Sequence, residues 1–230
     1  MSASSFLAYD SRPMKFQAVI FDMDGLMLDT ERTYRDVFNR AAADCGVAFT
    51  SELHDKMIGR NSADSRAILL AEWKDDMLLA RFLDAMHHHH HICFSDPSPI
   101  KAGLHEVLDF LESRRIPKVV ATSTPRASAI GRLKQHDLLH RFATVSAGDD
   151  VTRGKPAPDI YLLAASTIKA EPSRCIVLED SEAGVTGAHA AGMTVCMVPD
   201  LKQPCEDVRA RAHDVYKSLV EVRHWLETVF

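Results

Sequence analysis

Two carboxylates stand one residue apart directly after an apolar run, in the segment Ala18-Val19-Ile20-Phe21-Asp22-Met23-Asp24-Gly25. An apolar run of this length before a turn residue predicts a β-strand that is buried on both faces. In open α/β sheets, ligands bind just beyond the carboxyl ends of such strands. Two acids this close repel one another unless a cation or a shared proton separates them. Asp22 and Asp24 therefore predict a chemically active site at the end of the first strand.

Three further groups of polar residues could contribute to the same site as Asp22 and Asp24. Ser123 and Thr124 follow one later predicted strand, and Glu179 and Asp180 directly follow another. Lys155 lies in a loop, in Gly154-Lys155-Pro156. Because parallel strands bring their carboxyl ends to one edge of a sheet, these distant residues can converge there, and the loop that carries Lys155 can reach the same edge.

These residue types suit phosphoryl transfer. Several acids beside a phosphate need a cation, and oxygen ligands of this kind favour Mg²⁺. An ammonium and a hydroxyl can bind the phosphate oxygens. One carboxylate can attack phosphorus to form an aspartyl-phosphate, and a second can give and take the proton.

The elements that must position these residues are predicted from the hydrophobic pattern. Helices and strands alternate from Ile100 onward, and the first strand belongs with them, which predicts an α/β fold with a Rossmann-like parallel sheet and helices on both faces. The predicted strands are Lys15–Phe21, Pro117–Thr122, Ala143–Ala147, Cys175–Leu178, Thr194–Val198 and a short strand near Val215.

The segment between the first strand and the alternating region is predicted to be entirely helical. Its predicted helices are Glu31–Cys45, Ser51–Ile58, Ser62–Trp73 and Asp75–Phe94, with Thr30 as the N-cap of the first. The linker Asp96-Pro97-Ser98-Pro99 follows, because proline cannot continue a helix. The predicted organisation is a disordered tail at 1–13, an α/β catalytic core at 14–30 and 97–230, and an inserted α-helical cap at 31–96.

Composition limits the possible partners and compartment. The chain has 230 residues and a formal net charge of −5, which argues against nucleic acid or an anionic membrane as a main partner. Five cysteines at irregular spacing predict reduced thiols in a cytoplasmic protein. No segment approaches the roughly 20 apolar residues of a membrane span, and the N-terminus does not resemble a secretion signal. We expect a monomer or a small homo-oligomer.

Four motifs together resemble those of the haloacid dehalogenase superfamily, in the expected order. They are Phe21-Asp22-Met23-Asp24-Gly25-Leu26, Ala121-Thr122-Ser123-Thr124, Gly154-Lys155-Pro156 and Leu178-Glu179-Asp180-Ser181-Glu182-Ala183-Gly184. The resemblance covers about Met14 to the C-terminus. The helical segment resembles the small cap of the β-phosphoglucomutase-like and phosphatase-like branch.

The resemblance implies a Mg²⁺ site and a role for each acid. Asp22 is the implied nucleophile and a metal ligand. Asp24 is the implied general acid/base, and its backbone carbonyl also contacts the metal. Asp180 is the implied carboxylate ligand, and Glu179 is either a direct ligand or one that acts through water.

The resemblance also implies residues that bind a small phosphate ester. Ser123 and Lys155 are the implied phosphate-holding residues, with Lys155 also restraining the nucleophile, and Thr124 is a further expected substrate-binding residue. Arg60 in the helical segment is a candidate for binding a substrate phosphate or hydroxyl. The expected activity is Mg²⁺-dependent hydrolysis of a sugar, polyol or nucleotide phosphate.

Two alternatives stay open beside the phosphatase. A sugar phosphomutase of this branch carries a cap histidine where this chain has Tyr34 and a cap arginine where it has Ser62, which favours the phosphatase. A receiver-like signalling module would also phosphorylate a strand-end aspartate, but the helical insertion and Asp24 argue against it. The role of the run His87–His91 is left open.

Overall fold

The chain's structure, a computed structural model, describes residues 16–230. The predicted tail at 1–13 and the predicted start of the core at Met14 lie outside the described residues. Among the described helices, none combines the length and the apolar composition that crossing a membrane requires.

Six parallel strands form one sheet in the order β3-β2-β1-β4-β5-β6, with β1 and β4 at its centre. The strands are β1 Ala18–Phe21, β2 Lys118–Ala121, β3 Thr144–Ser146, β4 Cys175–Glu179, β5 Thr194–Met197 and β6 Asp214–Val215. The predicted α/β fold with a parallel sheet is confirmed.

Ten α-helices accompany the sheet in the described part of the chain. They are α1 Glu31–Cys45, α2 Ser51–Asp55, α3 Ser62–Trp73, α4 Asp76–Cys93, α5 Leu104–Ser113, α6 Arg126–Gln135, α7 Asp159–Thr167, α8 Glu182–Ala190, α9 Glu206–Arg211 and α10 Leu219–Val229. Short 3₁₀ turns occupy Leu139–Arg141, Gly148–Asp150 and Pro172–Arg174.

Both faces of the sheet are covered, because successive side chains of a strand point to opposite sides. Val19 and Phe21 of β1 pack into a core cluster with α5, α6 and α10. Ala18 and Ile20 of the same strand pack into a second cluster with α7, α8 and α9. All four side chains are fully buried, as the continuous apolar run predicts.

The helices α1–α4, here called the helical insertion, connect β1 to the rest of the sheet and have a core of their own. That core contains only residues of the insertion, including Leu53, Leu69 and Phe82. Aromatic rings line it, with Trp73 and Phe82 in an edge contact at 4.8 Å between centroids. An insertion with its own apolar cluster is held together by burial that does not depend on the sheet.

Several predicted boundaries are wrong by a few residues. The helix predicted at Ser51–Ile58 ends at Asp55, because the chain turns there toward Gly59, whose φ of +75° is left-handed. Most strands and some helices are shorter at their ends than predicted. In contrast, β4 continues one residue further than predicted, to Glu179, whose carbonyl accepts a hydrogen bond from the Val198 amide.

Candidate active site

The carboxyl ends of β1 and β4 bring together residues that are far apart in the sequence. The Lys155 ammonium donates to Asp22 Oδ1 and to Glu179 Oε1, both at 2.5 Å. Asp22, Glu179 and Asp180 each place one oxygen within 4.8 Å of the others. The predicted meeting of Lys155 and these three acids at one sheet edge is therefore observed.

Lys155 reaches this edge from the loop before α7, and its side chain is 1% exposed. Its ammonium also donates to the Ala121 carbonyl at 3.2 Å, which fixes it at the end of β2. Burial alone would lower the pKa of Lys155, but the carboxylates of Asp22 and Glu179 outweigh burial and raise it well above its usual value. A buried lysine with three acceptors is a fixed positive charge beside Asp22.

The carboxylates themselves are crowded. Burial raises the pKa of Asp22 well above its usual value, and it does the same for Asp180, with repulsion between neighbouring acids adding to both shifts. A divalent cation would relieve this repulsion, and an all-oxygen donor set of this kind fits Mg²⁺. Gly25 keeps the space open, since a Cβ at that position would lie 2.0 Å from Asp180 Oδ2.

Glu179 is the most fully bonded acid of the group. Its Oε1 accepts from Lys155 and from the Tyr161 hydroxyl at 2.6 Å. Its Oε2 accepts from the backbone amides of Asp180 and Ser181 and from the Ser181 hydroxyl. Because five donors already occupy the two oxygens, this arrangement favours contact with a metal through water over direct ligation.

Asp24 faces a different set of partners. Its Oδ1 accepts from the Arg132 guanidinium at 2.5 Å and from the Thr30 hydroxyl at 2.8 Å. Its Oδ2 accepts from the Thr124 hydroxyl at 2.6 Å and from Thr122 at 3.4 Å. Thr30 is the N-cap of α1, as predicted, but its side chain makes no capping hydrogen bond and its hydroxyl donates to Asp24 instead.

Two of the predicted phosphate-binding and substrate-binding residues, Ser123 and Thr124, lie at the same edge and already donate their hydroxyl protons to the protein, whereas Arg60 lies in the helical insertion. The Ser123 hydroxyl donates to the carbonyl of Gly59 in the helical insertion at 2.8 Å. The Thr124 hydroxyl donates to Asp24, so it is not directed at a substrate here. The Arg60 guanidinium donates to the Lys56 carbonyl at 2.9 Å while the residue lines the cavity described next.

A cavity of about 180 Å³ lies between the sheet edge and the helical insertion. The insertion contributes mostly apolar side chains, such as Phe38, Met57 and Leu69. Two buried ionisable groups, Glu31 and His54, also line it, with 3.9 Å between Glu31 Oε2 and His54 Nε2. Burial, followed by repulsion from Asp24 and Asp200, raises the pKa of Glu31 to about 8, and burial lowers the pKa of His54.

Sequence reasoning missed Arg132, Tyr161, Glu31 and His54. For Arg132 a signal exists, because it stands three residues after Ala129 and beside Leu133, on the apolar stripe of α6. All three residues are buried. A charged residue on the buried face of a helix needs a partner, and Asp24 is that partner.

The histidine run lies in α4 and does not gather into a metal site. In the described residues, the one group of three or more candidate ligands is Asp22, Glu179 and Asp180. His89 Nε2 pairs with Asp44 Oδ2 at 2.7 Å, and His90 Nε2 lies 3.3 Å from the Arg132 guanidinium.

The fold and the motifs together define the family. Residues 19–198 match the family described as haloacid dehalogenase-like hydrolase. Since this match spans well over half of the chain, the chain belongs to the haloacid dehalogenase-like hydrolases, as the four motifs predicted.

Characterised relatives resemble the chain over most of its length. It is 37% identical over 177 residues to the phosphorylated carbohydrates phosphatase of Thermotoga maritima, covering 77% of this chain and 82% of that protein. It is 32% identical over 191 residues to the fructose-1-phosphate phosphatase of Escherichia coli, covering 78% and 94%. The crystal structure of a β-phosphoglucomutase from Clostridium difficile shares the fold, with a TM-score of 0.80 at 19% identity, covering 93% and 96%.

Proposed function

We propose that this enzyme hydrolyses a small phosphate monoester, with Mg²⁺ as its cofactor and Asp22 as its nucleophile. The observation that carries the proposal is the buried Lys155 ammonium between Asp22 and Glu179, with Asp180 beside them. The relatives named as phosphatases of phosphorylated carbohydrates and of fructose 1-phosphate support the same reaction class.

In this proposal, Asp22, Asp180 and the backbone carbonyl of Asp24 would hold the Mg²⁺, and Glu179 would act through water. The bound ion would neutralise phosphate charge and orient the ester. Lys155 binds a phosphate oxygen and keeps the nucleophile in place, and Ser123 donates to another.

The reaction itself needs two carboxylates. An Asp22 oxygen attacks phosphorus, so that a new O–P bond forms while the bond to the leaving oxygen breaks, and Asp24 gives that oxygen a proton. Water then attacks the phosphorus of phospho-Asp22 while Asp24 takes a proton from it, so that a new O–P bond forms and the bond between phosphorus and the Asp22 oxygen breaks. Inorganic phosphate leaves, and both aspartates return to their starting forms.

The helical insertion, predicted as a cap at 31–96, supplies the side of the cavity that faces the leaving group. Its apolar lining supports a role in excluding water from the site. The leaving group is a sugar, a polyol or a nucleoside of a size that the cavity admits. The five cysteines, all free, fit a reducing cytoplasmic compartment.

The phosphatase is favoured over the phosphomutase by the environment of Tyr34. This residue stands where the mutases resembled by the motifs have a histidine, and its hydroxyl accepts from Arg132 at 2.5 Å. Burial raises the pKa of Tyr34 to about 12, so it does not exchange protons near neutral pH as a histidine would.

The test is phosphate release from a panel of sugar, polyol and nucleoside monophosphates, with Mg²⁺ and with EDTA. We expect turnover that needs Mg²⁺ and that is abolished in Asp22→Asn. The matched control is Asp109→Asn, which alters an exposed carboxylate paired with Arg141 on the core and should keep full activity. Full activity of Asp22→Asn would overturn the mechanism.

A further inference from the structure

We infer that Arg132 is a positioning residue for Asp24, and that it ties the orientation of this proton-transferring carboxylate to the helical insertion. The inference rests on the proposed function, because it concerns the same site. Arg132 belongs to α6 in the core, outside the four motifs that predict the catalytic groups.

The contact between Arg132 and Asp24 is an ion pair largely shielded from solvent. Arg132 Nη1 lies 2.5 Å from Asp24 Oδ1, and the side chains are 10% and 14% exposed. Among the described residues, Arg132 is the one cationic side chain that pairs with this carboxylate within 4.0 Å. The hydroxyls of Thr30 and Thr124 hold the same carboxylate from other directions. The pair therefore fixes one orientation of Asp24.

An arginine suits this role because the guanidinium stays protonated throughout catalysis. It can orient Asp24 without competing for the proton that Asp24 gives to the leaving oxygen. Its planar fork also binds two partners at once, with Nη1 on Asp24 and Nη2 on the Tyr34 hydroxyl. A lysine in its place would keep the charge but lose the second directed contact.

The second set of contacts comes from the helical insertion. Tyr34 lies in α1 and His90 in α4, and both contact Arg132 Nη2, at 2.5 and 3.3 Å. The guanidinium carbon also lies 4.6 Å from the ring centroid of Phe94, just after α4, a distance typical of a cation–π contact. A movement of α1 or α4 relative to the sheet would therefore act on Asp24 through Arg132.

The test compares Arg132→Met with wild type on two esters under single-turnover conditions with Mg²⁺. An alkyl phosphate from the active panel needs a proton on its leaving oxygen, whereas p-nitrophenyl phosphate releases an anion that is stable without one. Because a misplaced catalytic group can cost about 100-fold, we expect the transfer rate to fall about 100-fold for the alkyl ester. We expect a far smaller decrease in the transfer rate for p-nitrophenyl phosphate. The KM of Arg132→Met for each ester should differ little from that of wild type.

Two further variants make the test specific. Arg132→Gln, which keeps a polar side chain in case the methionine variant fails to fold, should show the same difference between esters. Arg132→Lys should recover part of the alkyl-ester rate. The control is Arg141→Met, which removes an arginine of similar exposure that pairs with Asp109 and Glu112 outside the site, and it should leave both rates unchanged.

The outcomes separate this inference from the proposed function. Equal loss on both esters, no loss on either, or a faster alkyl-ester reaction in Arg132→Met would overturn the positioning role while the phosphatase stands. Absence of Mg²⁺-dependent phosphate release by the wild-type enzyme from every ester would reject the proposed function, and the inference would fall with it.

Discussion

Asp22 and Asp24 are separated by one residue, yet they belong to two different regions of the site. Asp22 shares Lys155 with Glu179 and lies beside Asp180, where three carboxylates converge. Asp24 pairs with Arg132. We call these regions the Lys155 region and the Arg132 region.

The two regions differ in where their partners come from. The Lys155 region is built from the sheet, from the loop that leads into α7 and from Tyr161 of α7 itself. The Arg132 region is built from α6 and from the helical insertion, through residues such as Tyr34 and His90. Two identical side chains on one turn can thus have different roles, because the surrounding elements decide which charges they meet. The Lys155 region suits a fixed metal and phosphate site, whereas the Arg132 region suits a group whose position can respond to the insertion.

The largest expected effect comes from removing the cation of the Lys155 region. Lys155→Met leaves Asp22 and Glu179 buried without their shared partner, and breaking a buried pair in this way costs about 3–5 kcal/mol of unfolding free energy. Phosphatase activity should also be lost. Urea denaturation at pH 7 measures the first effect. Lys118→Met is the control, because its partner Glu112 is half exposed and can be solvated when the lysine is removed. Equal destabilisation of the two variants would contradict this account.

The next effect concerns Glu31, which lies near Asp24. Its pKa of about 8 in the folded protein exceeds that of an unfolded glutamate, so only the unfolded chain releases this proton between about pH 4.5 and 8. Unfolding free energy contributed by Glu31 is therefore lost as the pH rises through this range. The Gln side chain has no such proton to release. The free energy of unfolding of Glu31→Gln, relative to that of wild type, should therefore rise by on the order of 3 kcal/mol between pH 5 and pH 8.

Urea denaturation in EDTA at several pH values measures that gain. The comparison is with Glu106→Gln, which changes an exposed glutamate of α5 and should follow the wild-type pH dependence. If the difference in unfolding free energy between wild type and Glu31→Gln stayed constant with pH, Glu31 would be ionised in the folded protein, contrary to this prediction.

Mg²⁺ should distinguish the two regions directly. A ligand that binds only the folded state at 100 times its dissociation constant adds about 2.7 kcal/mol of stability. We expect Mg²⁺ to raise the melting temperature of the wild-type protein and of Asp24→Asn, which keeps its backbone carbonyl, but not of Asp180→Asn. Thermal unfolding across a Mg²⁺ titration measures this difference. Retention of the full shift in Asp180→Asn would place the ion elsewhere.

The smallest effects come from one tyrosine in each region. Tyr161→Phe removes a hydrogen bond to Glu179, and Tyr34→Phe removes one from Arg132, each costing about 1.5 kcal/mol. The Tyr161 variant should also weaken the Mg²⁺ shift, whereas the Tyr34 variant should leave it unchanged. Identical Mg²⁺ responses in the two variants would show that the regions are not separate.

Local signals explain which parts of the fold could be predicted. The bounds of α1 and α3 are as predicted, because Gly46 ends α1 in a left-handed conformation and Asn61 caps α3 by accepting from the Asp64 amide at 2.8 Å. The helix at Ser51 was predicted too long, because a helical pattern does not reveal that the chain must turn at Gly59 to approach Ser181.

In the site, too, local signals predict some residues and miss others. Apart from Tyr161, the residues of the Lys155 region were predictable, because Asp22 and Asp180 stand just beyond the ends of apolar strands, and strand ends share an edge. The partners of Asp24 were not predicted, because they depend on how α6 and the insertion rotate and pack against the sheet. Arg132 in the sequence resembles an ordinary charge on a helix surface, and only its place on the apolar stripe of α6 with Ala129 and Leu133 indicates otherwise.

The hydrogen bond from Ser123 to the Gly59 carbonyl has a consequence for the order of events in turnover. A hydroxyl has one proton to donate, and in this structure it is donated to the insertion. An incoming phosphate that takes this proton must displace Gly59 from it. If Ser123 binds the phosphate as proposed, substrate arrival and loss of the hydrogen bond to Gly59 would be a single exchange, and departure of inorganic phosphate would restore that bond for the next cycle.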